Sequence, residues 1–192
     1  MPRINNDRFY QSALKKYGVS AEGVNWNSKY SQIKRFEIIY TLIQKEPSKT
    51  TIVDAGCGFG DFYLYVKEQE KNFGYIGIDI VLENIAIAKE RTNQKILHKD
   101  IITDSLPRAD FYIASGSMNI LNRFETWLFI RRCFDYSKKG FIFNLLKGRE
   151  QKGSFNYFLP KEIKKFAKNL PCEIKIIEGY LENDFTVYLK KI

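Results

Sequence analysis

The stretch Thr51–Asp61, with the sequence TIVDAGCGFGD, decides the fold of this chain. Residues 51–54, with Ile52 and Val53 at their centre, predict a short buried β-strand. Gly56, Gly58 and Gly60 follow at alternate positions and allow both a sharp turn and a close approach of the backbone to a ligand. The helix predicted next directs unpaired N–H groups and its positive dipole end at that turn. The pattern predicts a binding site for a carboxylate, a phosphate or the polar tail of an amino acid.

The residue that closes the glycine motif narrows the choice of ligand. A phosphate-binding loop needs Gly-Lys-Ser/Thr, which this stretch lacks. A dinucleotide-binding loop has its third glycine where this chain has Asp61. An acid at that point repels a pyrophosphate, whereas it suits an amine or a sulfonium. The sequence therefore favours a ligand with an amino-acid tail and no phosphate.

Strands and helices alternate along the rest of the chain. Periodicity predicts later strands at residues 75–79, 95–98, 110–115 and 140–146, with helices near 61–71, 82–92, 123–136 and 160–169. Two final strands, 173–177 and 185–189, are too close for a helical crossover and are expected to form a hairpin. Two helices, near 6–17 and 29–45, precede the first strand.

This alternation predicts an α/β fold, a three-layer Rossmann-like sandwich. Its sheet is expected to be mostly parallel and seven-stranded, with an antiparallel C-terminal strand and two N-terminal helices before it. The 192 residues suit one domain, 1–192, in which residues 1–49 form a helical lid and residues 50–192 the core.

Polar residues end three successive predicted strands. Asp79 ends the second strand, Asp100 follows the third and Ser115 ends the fourth. Ligands of open parallel sheets lie across the carboxyl ends of the strands, where the strand order reverses. A carboxylate at Asp79 can accept both hydroxyl protons of a ribose, and Asp100 can accept from the exocyclic amine of adenine. Each acid also has a plain structural interpretation as a strand-end residue.

Residues 50–146 resemble the class I S-adenosylmethionine-dependent methyltransferases. The resemblance rests on Asp54-Ala-Gly-Cys-Gly-Phe-Gly60, Gly77-Ile-Asp79, His98-Lys-Asp100-Ile101 and residues 110–115. It implies S-adenosylmethionine as cofactor and S-adenosylhomocysteine as product. It further implies that Asp54 and the glycines hold the methionine portion, that Asp79 binds the ribose, and that Asp100 and Ile101 flank the adenine. The stretch from Gly23 to Phe36 is similar to that of small, uncharacterised bacterial members of the superfamily.

Several further residues complete the expected cofactor site. Trp26, Gln32 and Arg35 are candidates for a lid over the donor, and Arg35 can pair with the methionine carboxylate in bidentate fashion. Asp61 has the alternative role of an N-terminal helix cap. The full set of expected cofactor-binding residues is Asp54, Gly56, Cys57, Gly58, Gly60, Asp61, Asp79, Ile80, Asp100, Ile101, Ser115, Arg35 and Trp26.

The acceptor and any catalytic side chain are less determined. A sulfonium donor is already activated, so the sequence need not provide a base. The residues after the fourth strand read Ala114-Ser-Gly-Ser-Met-Asn119, without the Asn/Asp-Pro-Pro-Tyr/Phe of enzymes that methylate exocyclic amines of nucleobases. Ser117 and Asn119 are candidates for orienting the acceptor, or for simply holding the loop. The catalytic residue is left open.

Composition limits the function classes. The chain is 44% hydrophobic, its three cysteines form no CxxC pair, and residues 1–10 contain no apolar signal core. We therefore expect a cytoplasmic protein with reduced thiols, no bound metal and no membrane partner. Nothing in the composition indicates an oligomeric state.

The charge is unevenly distributed and leaves the acceptor class open. Residues 1–50 carry a net +5, residues 51–137 a net −2 and residues 138–192 a net +6. With fewer than 50 residues before the first predicted strand, a small-molecule acceptor is the leading expectation. An RNA or protein acceptor bound by the basic terminal regions is the first alternative. A non-catalytic module that binds the donor is the second.

Overall fold

The computed structural model describes residues 12, 14–20, 23, 28–47, 49–69, 73–149 and 155–192. From residue 29 onwards it consists largely of alternating helices and strands. In chain order these are α1 (Lys29–Ile43), β1 (Thr51–Ala55), α2 (Asp61–Glu68), β2 (Gly74–Asp79), α3 (Leu82–Thr92), β3 (Lys95–His98), β4 (Ala109–Ala114), α4 (Arg123–Tyr136), β5 (Ser137–Lys147), β6 (Tyr157–Phe158), α5 (Pro160–Ala167), β7 (Cys172–Glu178) and β8 (Asp184–Lys191).

The strands form one sheet in the order β3-β2-β1-β4-β5-β8-β7, and the short β6 pairs with β5 beside this path. Neighbouring strands from β3 to β5 are parallel, whereas β8 is antiparallel to both β5 and β7. The chain goes from β1 to β2 and β3 on one side, and then to β4 and β5 on the other. The strand order therefore reverses between β1 and β4, which is where such sheets bind ligands.

Strand β4 shows how the sheet is covered on both faces. Its side chains alternate, so that Phe111 and Ile113 pack with α1, α2 and α3 on one face. Tyr112 and Ala114 pack with α4 and α5 on the other face. The sheet is thus the middle of three layers, as the alternation of strands and helices predicts.

Helix α1 packs with one side against α2, β5 and β8. It begins where the Ser28 side chain accepts a hydrogen bond from the backbone N–H of Ser31. Its buried residues recur at helical spacing: Gln32, Arg35, Phe36, Ile39 and Ile43. The two polar members of this stripe lie at the N-terminal end of the helix, where they contribute to the site described below.

The predicted fold class is confirmed. The seven expected strands make up the main path of the sheet, and the C-terminal pair forms the expected hairpin. The two-residue β6 was not predicted, because two residues are too few for a periodic pattern. The first expected helix, 6–17, falls largely outside the described residues, although residues 14–17 are helical. Across the described part of the chain, no helix combines the length and the apolar character needed to cross a membrane.

Candidate functional site

The glycine loop after β1 is held between β2 and the segment after β4. In this loop the backbone N–H groups of Gly56 and Cys57 both donate to the carbonyl oxygen of Ile78, at 2.8 and 3.0 Å. Gly56 has φ of +82°, and a Cβ built there would lie 2.3 Å from the Cβ of Ser117. A side chain at Gly56 is therefore excluded both by backbone conformation and by space.

Asp79, at the end of β2, connects this loop to the next one. Its carboxylate accepts hydrogen bonds from the backbone N–H groups of Gly58 and Val81, each at 2.9 Å. Burial raises the pKa of Asp79, and the two backbone N–H groups oppose that shift. The acid predicted from the sequence is thus joined directly to the glycine motif.

Asp54, at the other side of the loop, is a buried carboxyl with a strongly perturbed pKa. The phenol of Tyr75 donates a hydrogen bond to its Oδ2 at 2.8 Å. Burial raises the pKa of Asp54, the Tyr75 hydrogen bond lowers it, and the charges of Asp79 and Asp61 raise it, so that the pKa is about 7 in the folded chain. Asp54 therefore titrates near neutral pH in the ligand-free protein.

Asp61 does not cap the helix that it begins. The N-cap of α2 is Gly60, and the Asp61 side chain instead accepts hydrogen bonds from Gln32 Nε2 at 3.1 Å and from Arg91 at 2.8 Å. The capping interpretation of Asp61 is therefore wrong. Its carboxylate ties α1 and α3 to the first turn of α2.

The ends of β3 and β4 bring the remaining predicted residues to the same edge of the sheet. Asp100 Oδ1 accepts from the backbone N–H of Ile102 at 2.8 Å, which fixes the turn after β3. Ser115 Oγ accepts from Asn144 Nδ2 at 3.3 Å, beyond the end of β4. Ser117 Oγ donates to the carbonyl oxygen of Ala55 at 2.8 Å, so this hydroxyl holds the glycine loop.

These groups line one open cleft of about 1090 Å³, a volume that includes space open to solvent. Most sequence-predicted residues lie in its wall: Arg35, Asp54, Gly56, Cys57, Gly58, Asp61, Asp79, Ile80, Asp100, Ile101, Ser115, Ser117 and Asn119. Gly60 does not line the cleft, and Trp26 lies outside the described residues. Parallel strands explain the convergence, because all their carboxyl ends meet at one edge.

Arg35 reaches the cleft wall from α1 but is already engaged in an ion pair. Its guanidinium group binds the carboxylate of Asp184, and both side chains are buried. Tyr180 donates a second hydrogen bond to Asp184, at 2.8 Å. Burial raises the pKa of Asp184 more than Arg35 lowers it. The predicted pairing of Arg35 with a ligand carboxylate stays a prediction.

The oxygens of two buried side-chain amides in the wall lack a partner. Neither Asn84 Oδ1 nor Asn119 Oδ1 has a hydrogen-bond partner among the described residues. Asn84 was missed by the sequence analysis, although it lies in the first turn of the helix after Asp79. Apolar residues of the wall were also missed, among them Phe36, Phe129 and Phe155. An isolated amide or aromatic residue carries no sequence pattern that would identify it as part of a site.

The fold is that of the S-adenosylmethionine-dependent methyltransferases among solved structures. Magnesium protoporphyrin IX methyltransferase from Synechocystis, with bound S-adenosylmethionine, is similar to this chain with a TM-score of 0.70 and 12% identity, over 100% of this chain and 86% of that one. A TehB-like methyltransferase from Corynebacterium glutamicum matches with a TM-score of 0.68 and 16% identity, over 96% and 98% of the two chains. The PH0226 protein from Pyrococcus horikoshii matches with a TM-score of 0.71 and 16% identity, over 93% and 99%. No family model and no curated protein matches the sequence.

Proposed function

We propose that this chain is an S-adenosylmethionine-dependent methyltransferase that acts on a small-molecule acceptor. The observation that carries the proposal is the hydrogen bond from Gly58 N to Asp79 at 2.9 Å. It joins the glycine motif and the second-strand acid in one cleft, as a ligand made of a nucleoside and an amino acid requires. The proposal is further supported by the fold, which solved methyltransferases of 12–16% identity share.

The charges in the cleft wall fit this donor. Among the described residues, four carboxylic acids line the cleft: Asp54, Asp61, Asp79 and Asp100. Two basic residues of the same described wall, Arg35 and Lys99, accompany them, and Arg35 is paired with Asp184. A cleft with this balance favours a ligand that carries an ammonium and a sulfonium, and it disfavours phosphates. The absence of a side chain at Gly56 lets the loop pack directly against Ser117, which holds it at the edge of the cleft.

In the proposed complex, each part of the donor is held by a different loop. Asp54 binds the ammonium group of the methionine portion, and Asp79 accepts from the ribose hydroxyls. The unpartnered Asn84 Oδ1 offers a further acceptor beside Asp79. Asp100 and Ile101 flank the adenine, with Ile80 at the neighbouring loop. When bound, the donor supplies a methyl group that is activated by its positive sulfur.

The protein's own contribution is alignment. A donor fixed at three loops and an acceptor held against it need little further ordering, which can lower a barrier by ~7–11 kcal/mol. Helix α1 helps to exclude water, because Gln32, Arg35 and Phe36 extend the cleft wall on that side. No general base is required for an acceptor that is nucleophilic in its neutral form.

Calorimetry tests the proposal directly. We expect S-adenosylmethionine and S-adenosylhomocysteine to bind one site with Kd values on the order of micromolar, about −8 kcal/mol. Donor at about 100 times its Kd is expected to stabilise the folded chain by ~2.7 kcal/mol. ATP is the control, because it shares the adenosine and adds phosphates. Equal binding of ATP, or no binding of either sulfur compound, would refute the donor assignment.

Asp54→Asn is expected to make the ligand-free protein more stable and the complex weaker. The pKa of Asp54 rises from 3.8 to about 7 on folding. The folded state therefore favours the protonated form of Asp54. The stability that Asp54 contributes is full below pH 4 and is lost as the pH rises towards 7. Asparagine stays neutral, still accepts from Tyr75, and avoids this loss. At pH 8 we expect a gain on the order of 2 kcal/mol, and a donor affinity lower by roughly 10- to 100-fold.

Urea denaturation at pH 4.5 and pH 8 measures the first effect, and calorimetry measures the second. The stability difference between wild type and Asp54→Asn should widen with pH. Glu90→Gln is the matched control, because this carboxylate is exposed on α3 and outside the cleft wall. A stability difference that does not depend on pH contradicts the assigned titration of Asp54.

A macromolecular acceptor is the second candidate, and the exposed basic side of α5 favours it. Lys161, Lys164, Lys165 and Lys168 are all exposed on or beside this helix. RNA binding that weakens steeply with added salt would support an RNA acceptor. Absence of RNA binding at low salt would contradict the hypothesis of an RNA acceptor. A chain that binds the donor and transfers no methyl group to any fraction of a cell extract would be a binding module.

A further inference from the structure

Asn119 is a buried amide in the cleft wall, five residues beyond the end of β4. Its backbone is fixed, because its N–H donates to Gly116 O at 3.2 Å and its carbonyl accepts from Asn156 N at 2.7 Å. The residue is 8% exposed, and its Oδ1 has no hydrogen-bond partner in the described part of the chain. Such an orphaned acceptor costs about 1–3 kcal/mol unless a ligand satisfies it. The group that satisfies it has to donate an N–H or an O–H.

The charge of the cleft argues against an anionic acceptor. A carboxylate or phosphate would enter a wall that already holds Asp54, Asp61, Asp79 and Asp100. Of the two basic residues in the described wall, Arg35 is paired with Asp184, and Lys99 lies directly after β3, where the adenine of the donor is proposed to bind. An ionised carboxylate also has no proton to donate to Asn119. A neutral acceptor with an N–H or an O–H avoids the repulsion by the acidic wall and can donate a hydrogen bond to Asn119.

The polar groups at the end of β4 favour nitrogen over oxygen. The described carboxylates of the wall lie at the ends of β1 to β3 and at the start of α2, where the donor is proposed to bind. Beyond β4 the wall offers Ser115, Ser117 and Asn119, and Ser117 already donates to Ala55. A hydroxyl acceptor needs a base as it reacts. A neutral amine attacks with its own lone pair and can lose its proton afterwards.

We infer that Asn119 binds the methyl acceptor and that this acceptor is a neutral amine. The inference rests on the proposed function. One N–H of the amine donates to Asn119 Oδ1, which orients the nitrogen lone pair. The nitrogen forms a bond to the methyl carbon as the bond from that carbon to sulfur breaks. The electron pair of the broken bond stays on sulfur, which becomes neutral, and the new ammonium releases its proton to water.

The test compares wild type with Asn119→Leu, which has a similar volume and no hydrogen-bonding group. Asn169→Leu, at an exposed position after α5, controls for the apolar substitution. Each protein is incubated with S-adenosylmethionine carrying a labelled methyl group and with separated small-molecule, RNA and protein fractions of the source cells. Calorimetry measures donor affinity, urea denaturation measures stability, and mass spectrometry locates the transferred methyl group.

We expect wild type to label a small molecule on an amine nitrogen. Asn119→Leu should transfer roughly 10- to 100-fold more slowly, with the same donor affinity and with equal or higher stability, since it removes an unpartnered polar atom. A purely structural role would instead lower stability. Methyl groups found on a carboxylate, a hydroxyl, RNA or protein overturn the inference. Undiminished transfer by Asn119→Leu, or no transfer by a wild type that binds the donor, also overturns it. Failure of wild type to bind the donor refutes the proposed function itself.

Discussion

Asp79→Ala is expected to weaken S-adenosylmethionine binding by roughly 100- to 10,000-fold. It removes the two charge-assisted hydrogen bonds that the ribose hydroxyls are proposed to donate to Asp79, at ~1.5–3 kcal/mol each. In the folded chain Asp79 is buried at the end of β2 and already accepts from Gly58 and Val81. Those two bonds fix the orientation of the carboxylate before a ribose arrives. The substitution therefore removes a binding group and loosens the glycine loop.

A ligand lacking one ribose hydroxyl separates these two effects. Wild type should bind S-adenosylhomocysteine more tightly than its 2′-deoxy analogue, whereas Asp79→Ala should bind the two compounds almost equally. Glu90→Ala, on the exposed side of α3, should leave both affinities unchanged. If Asp79→Ala keeps wild-type affinity for S-adenosylmethionine, the ribose assignment is wrong.

Breaking the ion pair between Arg35 and Asp184 is expected to cause a large loss of stability. Both partners are buried, so that Arg35→Met or Asp184→Asn leaves an unmatched polar or charged group inside the protein. Removing one member of a buried pair typically costs ~3–5 kcal/mol. Tyr180 cannot compensate, since its O–H already donates to Asp184 and its oxygen is also bonded to the hydroxyl of Thr186.

A double-mutant cycle measures this coupling. Arg35→Met combined with Asp184→Asn should lose clearly less stability than the two single changes summed, because no isolated charge remains. The surface pair Arg131 and Asp135, with side chains 52% and 46% exposed, is the control. Arg131→Met should cost under ~1 kcal/mol. Urea denaturation gives all of these values, and strictly additive losses would argue against a coupled pair.

The ion pair also bears on the site, because it ties α1 to the start of β8 across the sheet. Arg35 and Gln32 lie on one helix, and Gln32 binds Asp61 in the first turn of α2. Two polar contacts thus fix the N-terminal half of α1 beside the cleft. Breaking the ion pair between Arg35 and Asp184 should lower donor affinity as well as stability. Calorimetry on Arg35→Met measures the change in donor affinity.

The order of helices and strands could be predicted because each depends on a local sequence pattern. The 3.6-residue period marks α1 to α5, and short apolar runs between turn residues mark the strands. The glycine loop could be predicted for the same reason, since Gly56 at φ of +82° needs a conformation that other residues rarely adopt. The two-residue β6 has no such pattern and exists only through its pairing with β5.

Contacts between distant parts of the chain could not be predicted. Arg35 and Asp184 are 149 residues apart, and no local feature of either selects the other. The capping interpretation of Asp61 failed for the same reason, because Gln32 and Arg91 reach it from two other helices. The neutral-range pKa of Asp54 is equally a product of burial, which depends on every element packed around it.

The sequence by itself determined the α/β order, the glycine turn and the acids at successive strand ends, because each depends on neighbouring residues and on the common edge where parallel strands finish. Only the tertiary structure decided which charges are neutralised and which polar atoms lack a partner. Those properties arise from burial and from long-range contact. Burial and long-range contact give Arg35 a partner in Asp184, whereas the buried Oδ1 of Asn119 has no partner among the described residues.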